Sequence, residues 1–233
     1  MSHALRPVGI LGGMGPEATI LLQQRVMATV SARDDSDHVP LVIDMNPQVP
    51  SRIAHLIEGT GEDPSPVLAA MAKRLEAAGA QALAMPCNTA HHYALAVTGA
   101  VDIPFLSMLD LAAARALRDV GRGGCIGMLA SPAVRITGLF EAVLGAHDIS
   151  VLWPEDGDAM LAAICRVKAE GPVQAARETL VAASGELRAA GAQMQFIACS
   201  EFSLIADSVA DDARAVDTVH LLAQAIVDFS FAP

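Results

Sequence analysis

The chain has 233 residues, of which 53% are hydrophobic and 3% aromatic, so its core must consist mainly of aliphatic and methionine side chains. A formal net charge of −11 makes nucleic acid and anionic membranes poor partners. No uncharged apolar run approaches the roughly 20 residues that span a bilayer, and the N-terminus lacks a signal-peptide pattern, so we expect a cytoplasmic protein.

Short apolar runs alternate with helical patterns along the chain. The first run, at residues 8–11, precedes a glycine-rich loop at 12–15, and Pro16 with Glu17 then suits the first turn of a helix that reaches about residue 30. Further strands are predicted at 40–45, 82–85, 105–106, 125–129, 150–153 and 195–198, and further helices at 67–78, from 110, at 159–169 and at 173–190. This alternation indicates an α/β fold with mostly parallel sheets flanked by helices.

Two stretches of the chain are nearly copies of one another. AAGAQ occurs at residues 77–81 and again at 189–193, and an apolar run then leads to Cys87 in the first copy and to Cys199 in the second. A repeat of this length predicts a duplicated domain. We expect two pseudo-symmetric lobes, residues 1–110 rejoined by a C-terminal helix at 217–233, and residues 111–216. Because α/β folds bind ligands at the carboxyl ends of strands, we expect the active site in a cleft between the lobes.

One thiol in each copy suits chemistry in which a proton leaves one face of a molecule and returns on the other. A free thiol has a pKa of roughly 8.5, so either protonation state is accessible near neutrality after modest tuning. Free cysteines are often inert and buried, but the matching strand-end contexts of Cys87 and Cys199 favour a catalytic role. Cys125 and Cys165 lack such counterparts, and we interpret both as packing residues.

The sequence predicts neither a cofactor nor a metal. Its four cysteines lack CxxC spacing, which argues against a zinc site or a disulfide framework. Pyridoxal phosphate needs a lysine for its Schiff base, but the chain has only Lys73 and Lys168 and no glycine-rich phosphate-binding fingerprint.

Four segments together resemble the aspartate/glutamate racemase family, and most closely its aspartate racemase branch. They are GILGGMGPE at 9–17, NPQ at 46–48 followed by Arg52, MPCNTAH at 85–91, and ACSE at 198–201. The resemblance implies a cofactor-independent isomerase of two α/β lobes that interconverts L- and D-aspartate, with Cys87 and Cys199 as alternating base and acid. It also implies a small acidic amino acid as substrate and a homodimer.

The resemblance further implies a set of substrate-binding residues. Asn88 and Thr89 match the family's pair for the α-carboxylate or amine, although strand-end capping is an alternative role for both. Arg52 and Lys168 match its cationic pair for the side-chain carboxylate. The remaining predicted binding residues are Met14 in the glycine-rich loop, Ser131, Ser200 and Glu201.

Three positions depart from the family pattern or allow two interpretations. Pro132 replaces a threonine and removes both a hydroxyl and an N–H donor, and Ala198 stands where the family usually has glycine. His91 either tunes Cys87 or is a hydrogen-bonded residue of the helix start.

Three alternative functions stay open at this point. The first is a broad-specificity, glutamate or hydantoin racemase, and the second is an isomerase or lyase of small dicarboxylates that uses the same cysteines. The third is a two-lobed binder of acidic metabolites without catalysis. A second thiol at an equivalent place weighs against the binder, because binding alone does not require it.

Overall fold

The computed structural model describes residues 4–232 and divides into two compact units. The first unit comprises the chain up to Met108 together with the segment from Val219 onward, and the second is Leu109–Thr218. The sequence-based boundaries at 110 and 217 lie close to these limits. Within the described residues, no helix combines the length and apolar character needed to cross a membrane.

The first unit contains a four-stranded parallel sheet with the order β2-β1-β3-β4. Its strands are β1 (Val8–Gly12), β2 (Leu41–Met45), β3 (Ala82–Ala84) and β4 (Phe105–Leu106). Its first three α-helices are α1 (Pro16–Thr29), α2 (Ser65–Ala77) and α3 (Ala94–Thr98). It also contains three shorter helical turns, namely the 3-10 turns Asp35–Asp37 and Thr89–Tyr93 and the π-helical turn Ala54–Glu58.

The second unit repeats the same strand order, β6-β5-β7-β8, again with all strands parallel. Its strands are β5 (Cys125–Leu129), β6 (Ser150–Leu152), β7 (Met194–Ile197) and β8 (Ala215–Asp217). The helices from the boundary onward are α4 (Met108–Asp119), α5 (Pro132–Thr137), α6 (Leu139–Gly145), α7 (Gly157–Glu170), α8 (Gln174–Ala189) and α9 (Ser200–Ser203). The chain then returns to the first unit in α10 (Thr218–Phe231). The predicted α/β fold with parallel sheets is confirmed, and the elements that were not predicted are too short for a periodic pattern.

Helices α2 and α8 end in the same turn, which explains the repeated AAGAQ. Gly79 (φ +95°) and Gly191 (φ +98°) both adopt the left-handed conformation that glycine tolerates best. The Gly79 amide donates to the Glu76 carbonyl at 2.9 Å, and the Gly191 amide donates to the Arg188 carbonyl at 3.0 Å. The turn directs the chain into β3 and β7, the strands that lead to the two predicted catalytic cysteines.

The central strands β1 and β5 each carry a glycine where these helix ends approach them. A Cβ on Gly9 would lie 3.1 Å from the Cβ of Leu75, and a Cβ on Gly127 would lie 3.1 Å from the Cβ of Leu187. These separations are tighter than ordinary van der Waals contact, so glycine permits the close approach of helix and strand. The same glycine–leucine contact at corresponding places in both units supports a duplication.

The second unit has a buried polar pair where the first has an apolar one. The Ser184 hydroxyl on α8 donates to Gln195 Oε1 on β7 at 2.7 Å, and Gln195 Nε2 donates to the Ser184 carbonyl at 2.8 Å. Both residues are buried. In the register of the repeat, Ala72 and Leu83 occupy the corresponding positions of the first unit, where both are completely buried.

We expect Gln195→Leu to lower the free energy of unfolding by about 1–3 kcal/mol, because it leaves the buried Ser184 hydroxyl without its acceptor. The double variant Ser184→Ala/Gln195→Leu reproduces the apolar pair of the first unit and should recover most of this loss. Urea denaturation followed by circular dichroism measures both values. Equal destabilisation of the single and double variants would show that the two side chains are not coupled.

Candidate active site

Cys87 lies beyond the end of β3, at the entrance to the 3-10 turn Thr89–Tyr93. Its backbone amide donates to the Met85 carbonyl at 2.8 Å, and its carbonyl accepts from the Ala90 amide at 3.1 Å. The residue is 8% exposed and belongs to the hydrophobic core of the first unit. The fold thus places a nearly buried thiol at the carboxyl end of a parallel strand, where sheets of this kind bind ligands.

Cys199 occupies the corresponding place in the second unit. It follows β7 with an extended backbone (φ −140°, ψ 127°) and directly precedes α9. The Ser203 amide donates to its carbonyl at 3.0 Å, and the cysteine is 7% exposed. The two thiols therefore have matching backbone positions and similar burial.

His91 connects Cys87 to the start of the helix that follows β4. His91 Nδ1 lies 2.9 Å from the Cys87 carbonyl, and Nε2 lies 3.0 Å from the Met108 amide. A carbonyl can only accept and an amide can only donate, so the ring is neutral with its proton on Nδ1. The structure therefore favours the second interpretation of His91, a buried, hydrogen-bonded residue that joins the Cys87 carbonyl to the Met108 amide.

Ser203 has the equivalent position in the second unit. Its hydroxyl lies 3.3 Å from the Cys199 carbonyl and 2.9 Å from Asp217 Oδ1, directly before α10. In both units, the side chain four positions after the cysteine lies within hydrogen-bond distance of the cysteine's carbonyl and of a group at the start of a helix.

Glu201 and Lys168, both predicted to bind substrate, meet beside the second thiol. Cys199 Sγ donates to Glu201 Oε2 at 3.1 Å, and the Ser200 hydroxyl lies 3.4 Å from the same oxygen. Lys168 Nζ lies 3.5 Å from Glu201 Oε1. Burial and, next, the negative charge of Glu201 raise the pKa of the Cys199 thiol well above its ordinary value, while Lys168 opposes this rise. Cys199 therefore carries its proton at neutral pH.

Replacing Glu201 by Gln should lower the pKa of Cys199, because the variant removes a negative charge that disfavours the thiolate. The pH dependence of iodoacetamide alkylation at Cys199, followed by peptide mass spectrometry, reports the fraction of thiolate. Its midpoint should move to lower pH in Glu201→Gln and to higher pH in the matched control Lys168→Met. A midpoint that stayed in place in both variants would contradict this electrostatic account.

Arg52 is held by its own loop at the entrance to the π-helical turn. Nη1 donates to the Val49 carbonyl at 3.3 Å and to the Pro50 carbonyl at 2.9 Å. Its Nε is buried and has no hydrogen-bond partner among the residues that the structure describes. Because buried donors are normally hydrogen-bonded, this N–H is suited to an added acceptor such as a carboxylate.

Asn88 and Thr89 follow the first thiol, as predicted. Asn88 is buried and has helical backbone angles (φ −58°, ψ −44°), whereas a capping residue is typically extended. Thr89 is half-buried. The helical backbone angles of Asn88 therefore argue against a capping role for this residue.

The departure at Pro132 is accommodated by the start of α5. The Ser131 side chain accepts from the Ala133 amide at 3.2 Å and so caps this helix, while Pro132 occupies its first turn. An N–H is dispensable at that place, so the proline costs the helix nothing. Ser131 and Ser200 are both nearly buried.

The glycine-rich loop packs Met14 into the core cluster that contains Cys87. Gly13 has φ +92°, and a Cβ there would lie 2.3 Å from the Asn46 backbone, so no other residue fits. The Gly13 amide donates to Thr19 Oγ1 at 3.0 Å. One amide of the glycine-rich loop is therefore already bonded within the protein.

The interpretation of Cys165 as a packing residue is wrong, because this cysteine is exposed on α7. The buried stripe of that helix is formed by Met160, Ala163, Ile164 and Val167, and Cys165 lies outside it. Cys125 is partly buried.

No role was predicted for His55 and Tyr93, which the structure brings together. The Tyr93 hydroxyl lies 2.7 Å from His55 Nδ1. Their closeness in sequence to Arg52 and to the MPCNTAH segment is the one signal that pointed toward them.

Among residues 4–232, no group of three or more His, Cys, Asp or Glu side chains could hold a metal ion.

The structure is a duplicated parallel α/β unit with one nearly buried thiol at a strand end in each copy. The sequence profile of the Asp/Glu/hydantoin racemases matches residues 11–226, and the chain belongs to this family. It is therefore an isomerase, specifically a racemase, as the resemblance predicted.

Similar proteins include several racemases. An aspartate racemase from Picrophilus torridus superimposes with a TM-score of 0.84 at 29% identity, covering 96% of this chain and 93% of that one. The glutamate racemase RacE1 from Bacillus anthracis shares the fold with a TM-score of 0.67 at 15% identity, covering 97% and 81%. In sequence, the chain is 23% identical to the broad specificity amino-acid racemase RacX of Bacillus subtilis (strain 168) over 228 residues, covering 94% of this chain and 96% of the relative.

Proposed function

We propose that this racemase interconverts L- and D-aspartate without a cofactor and that Cys87 and Cys199 transfer the protons. The observation that carries the proposal is an asymmetry between two equivalent thiols. Cys199 donates to the carboxylate of Glu201. In the register of the repeat, the uncharged Thr89 stands where Glu201 stands in the second unit. One thiol is thus held as a proton donor, while the other lacks this neighbouring negative charge.

In the proposed reaction, the thiolate of one cysteine removes the α-proton, which breaks the Cα–H bond and forms an S–H bond. The electron pair left on the α-carbon then takes the proton of the other thiol on the opposite face. Each turnover converts one enantiomer to the other and exchanges the protonation states of the two cysteines. Buried, fixed thiols suit this step, because electrostatic stabilisation is strongest where water is excluded.

Arg52 supports an acidic substrate. Its guanidinium is oriented by two backbone carbonyls and keeps a buried Nε donor for a further acceptor. A guanidinium can bind a carboxylate through parallel hydrogen bonds. The Picrophilus torridus neighbour, an aspartate racemase, supports the same substrate class.

A second candidate is a racemase of broad specificity. It is favoured by the relative RacX, which is described as acting on amino acids broadly. Racemisation rates for aspartate, glutamate, alanine and lysine separate the two proposals. A preference for aspartate supports the first, and comparable rates for all four support the second.

Cys87→Ser and Cys199→Ser should each lower the rate of aspartate racemisation by about 10²–10⁴-fold, the range by which positioned acids and bases accelerate reactions. Circular dichroism of enantiopure aspartate follows the loss of optical activity. Cys165→Ser is the matched control, because this thiol is exposed on α7, and its activity should equal that of the wild type. Full activity in either active-site variant would refute the two-thiol mechanism.

Arg52→Gln should raise KM for aspartate by about 10–100-fold, because hydrogen bonds to charged groups contribute about 1.5–3 kcal/mol. The effect should be confined to substrates with a side-chain carboxylate, so an alanine control measured in parallel should keep its rate. Initial rates over a range of substrate concentrations give both parameters. An equal loss with alanine and aspartate would show that Arg52 does not bind the side-chain carboxylate.

A further inference from the structure

The π-helical turn Ala54–Glu58 follows closely after Arg52 and is closed by an unusual set of contacts. The amides of Thr60 and Gly61 both donate to the Ala54 carbonyl, at 3.0 and 3.1 Å. A Cβ on Gly61 would lie 2.7 Å from the His55 backbone nitrogen, so the loop can return only with glycine at this position. Turns of this type occur frequently at functional sites. The turn fixes the local backbone from which the His55 side chain extends.

His55 contacts Tyr93, the last residue of the 3-10 turn that follows Cys87. The Tyr93 hydroxyl lies 2.7 Å from His55 Nδ1, and the two ring centroids are 5.7 Å apart. Tyr93 is 5% exposed and belongs to the same core cluster as Cys87. The contact therefore joins the segment that carries Arg52 to the segment that carries Cys87.

The electrostatic surroundings of Tyr93 connect it to both of these residues. Burial above all raises the pKa of Tyr93 to about 12; Asp63 and Cys87 add to the rise, and Arg52 opposes it. The phenol consequently keeps its proton at neutral pH. Because a phenol can donate or accept, the hydrogen bond forms with either neutral tautomer of His55.

We propose that His55 and Tyr93 form a positioning pair that sets the spacing between Arg52 and Cys87 and thereby favours aspartate over glutamate. This inference rests on the proposed function. In a dicarboxylic amino acid, the α-carbon must reach the thiol while the side-chain carboxylate reaches the guanidinium. Aspartate and glutamate differ by one methylene between these groups, and a misplacement of about 1 Å can cost about 100-fold in rate. A hydrogen bond that fixes the spacing therefore discriminates between the two chain lengths.

Tyr93→Phe and His55→Leu test the pair, because each removes the hydrogen bond and leaves an apolar side chain in its place. We expect KM for aspartate to rise about tenfold in each, because a guanidinium that is no longer held at its spacing from the thiol loses part of its charge-assisted hydrogen bonding to the side-chain carboxylate. We expect kcat to change much less, and the preference for aspartate over glutamate in kcat/KM to fall. The double variant should be no worse than either single variant, since both remove the same bond.

His55→Asn is the conservative control. Its amide can donate or accept near the place of Nδ1, so it should restore most of the aspartate KM and of the preference over glutamate. Thermal melting of each variant shows whether it is folded, and the comparison of His55→Leu with His55→Asn carries the test if Tyr93→Phe does not fold.

The outcomes separate this inference from the proposed function. Wild-type KM and substrate preference in both Tyr93→Phe and His55→Leu would overturn the positioning role, while racemisation of aspartate by the wild type would still support the proposed function. Parallel losses of kcat and stability without recovery in His55→Asn would also overturn it, because they would show a purely structural role. A wild-type protein that racemises neither aspartate nor glutamate would overturn the proposed function and this inference together.

Discussion

The structure depends on how each cysteine's backbone is held where a parallel strand ends and a helical turn begins. The cysteine carbonyl contacts the side chain four positions later, His91 in the first unit and Ser203 in the second. The same side chain contacts the start of another helix, through the Met108 amide or the Asp217 carboxylate. These contacts hold the backbone of each cysteine in place, and both cysteines are almost completely buried. The proposed proton transfer to and from carbon needs thiols in fixed positions, because small displacements of the reacting atoms are costly.

Duplication and divergence explain how one fold provides two strand-end thiols with different surroundings. The shared parts are backbone features, namely the strand order, the glycine turns after α2 and α8, and the close helix–strand approach at Gly9 and Gly127. The divergent parts are side chains around the thiols. Glu201 accepts from Cys199 and pairs with Lys168, whereas Thr89 stands at the corresponding place after Cys87. The backbone thus preserves geometry, while single substitutions adjust the charge that controls protonation.

The sequence predicted the parts of the molecule that depend on local patterns. Apolar runs located the longer strands, and AAGAQ identified two equivalent helix ends before the structure showed their left-handed glycines. Contacts between distant segments were not accessible, because periodicity carries no information about them. The 2.7 Å bond between His55 and Tyr93 joins residues 38 positions apart. The contact of Glu201 with Cys199 spans two positions, so a carboxylate this close to a strand-end thiol is a signal that sequence analysis can use.

The measurement that tests the two-thiol account most directly is the location of deuterium during the first turnovers in heavy water. Enantiopure L-aspartate is incubated with the reduced protein, and the remaining L-aspartate and the new D-aspartate are separated and analysed by mass spectrometry. Two separate thiols predict deuterium at the α-carbon of D-aspartate, while the unreacted L-aspartate keeps its proton. Deuterium in both enantiomers from the start, or an α-proton retained in the product, would indicate a single shared base and contradict the account.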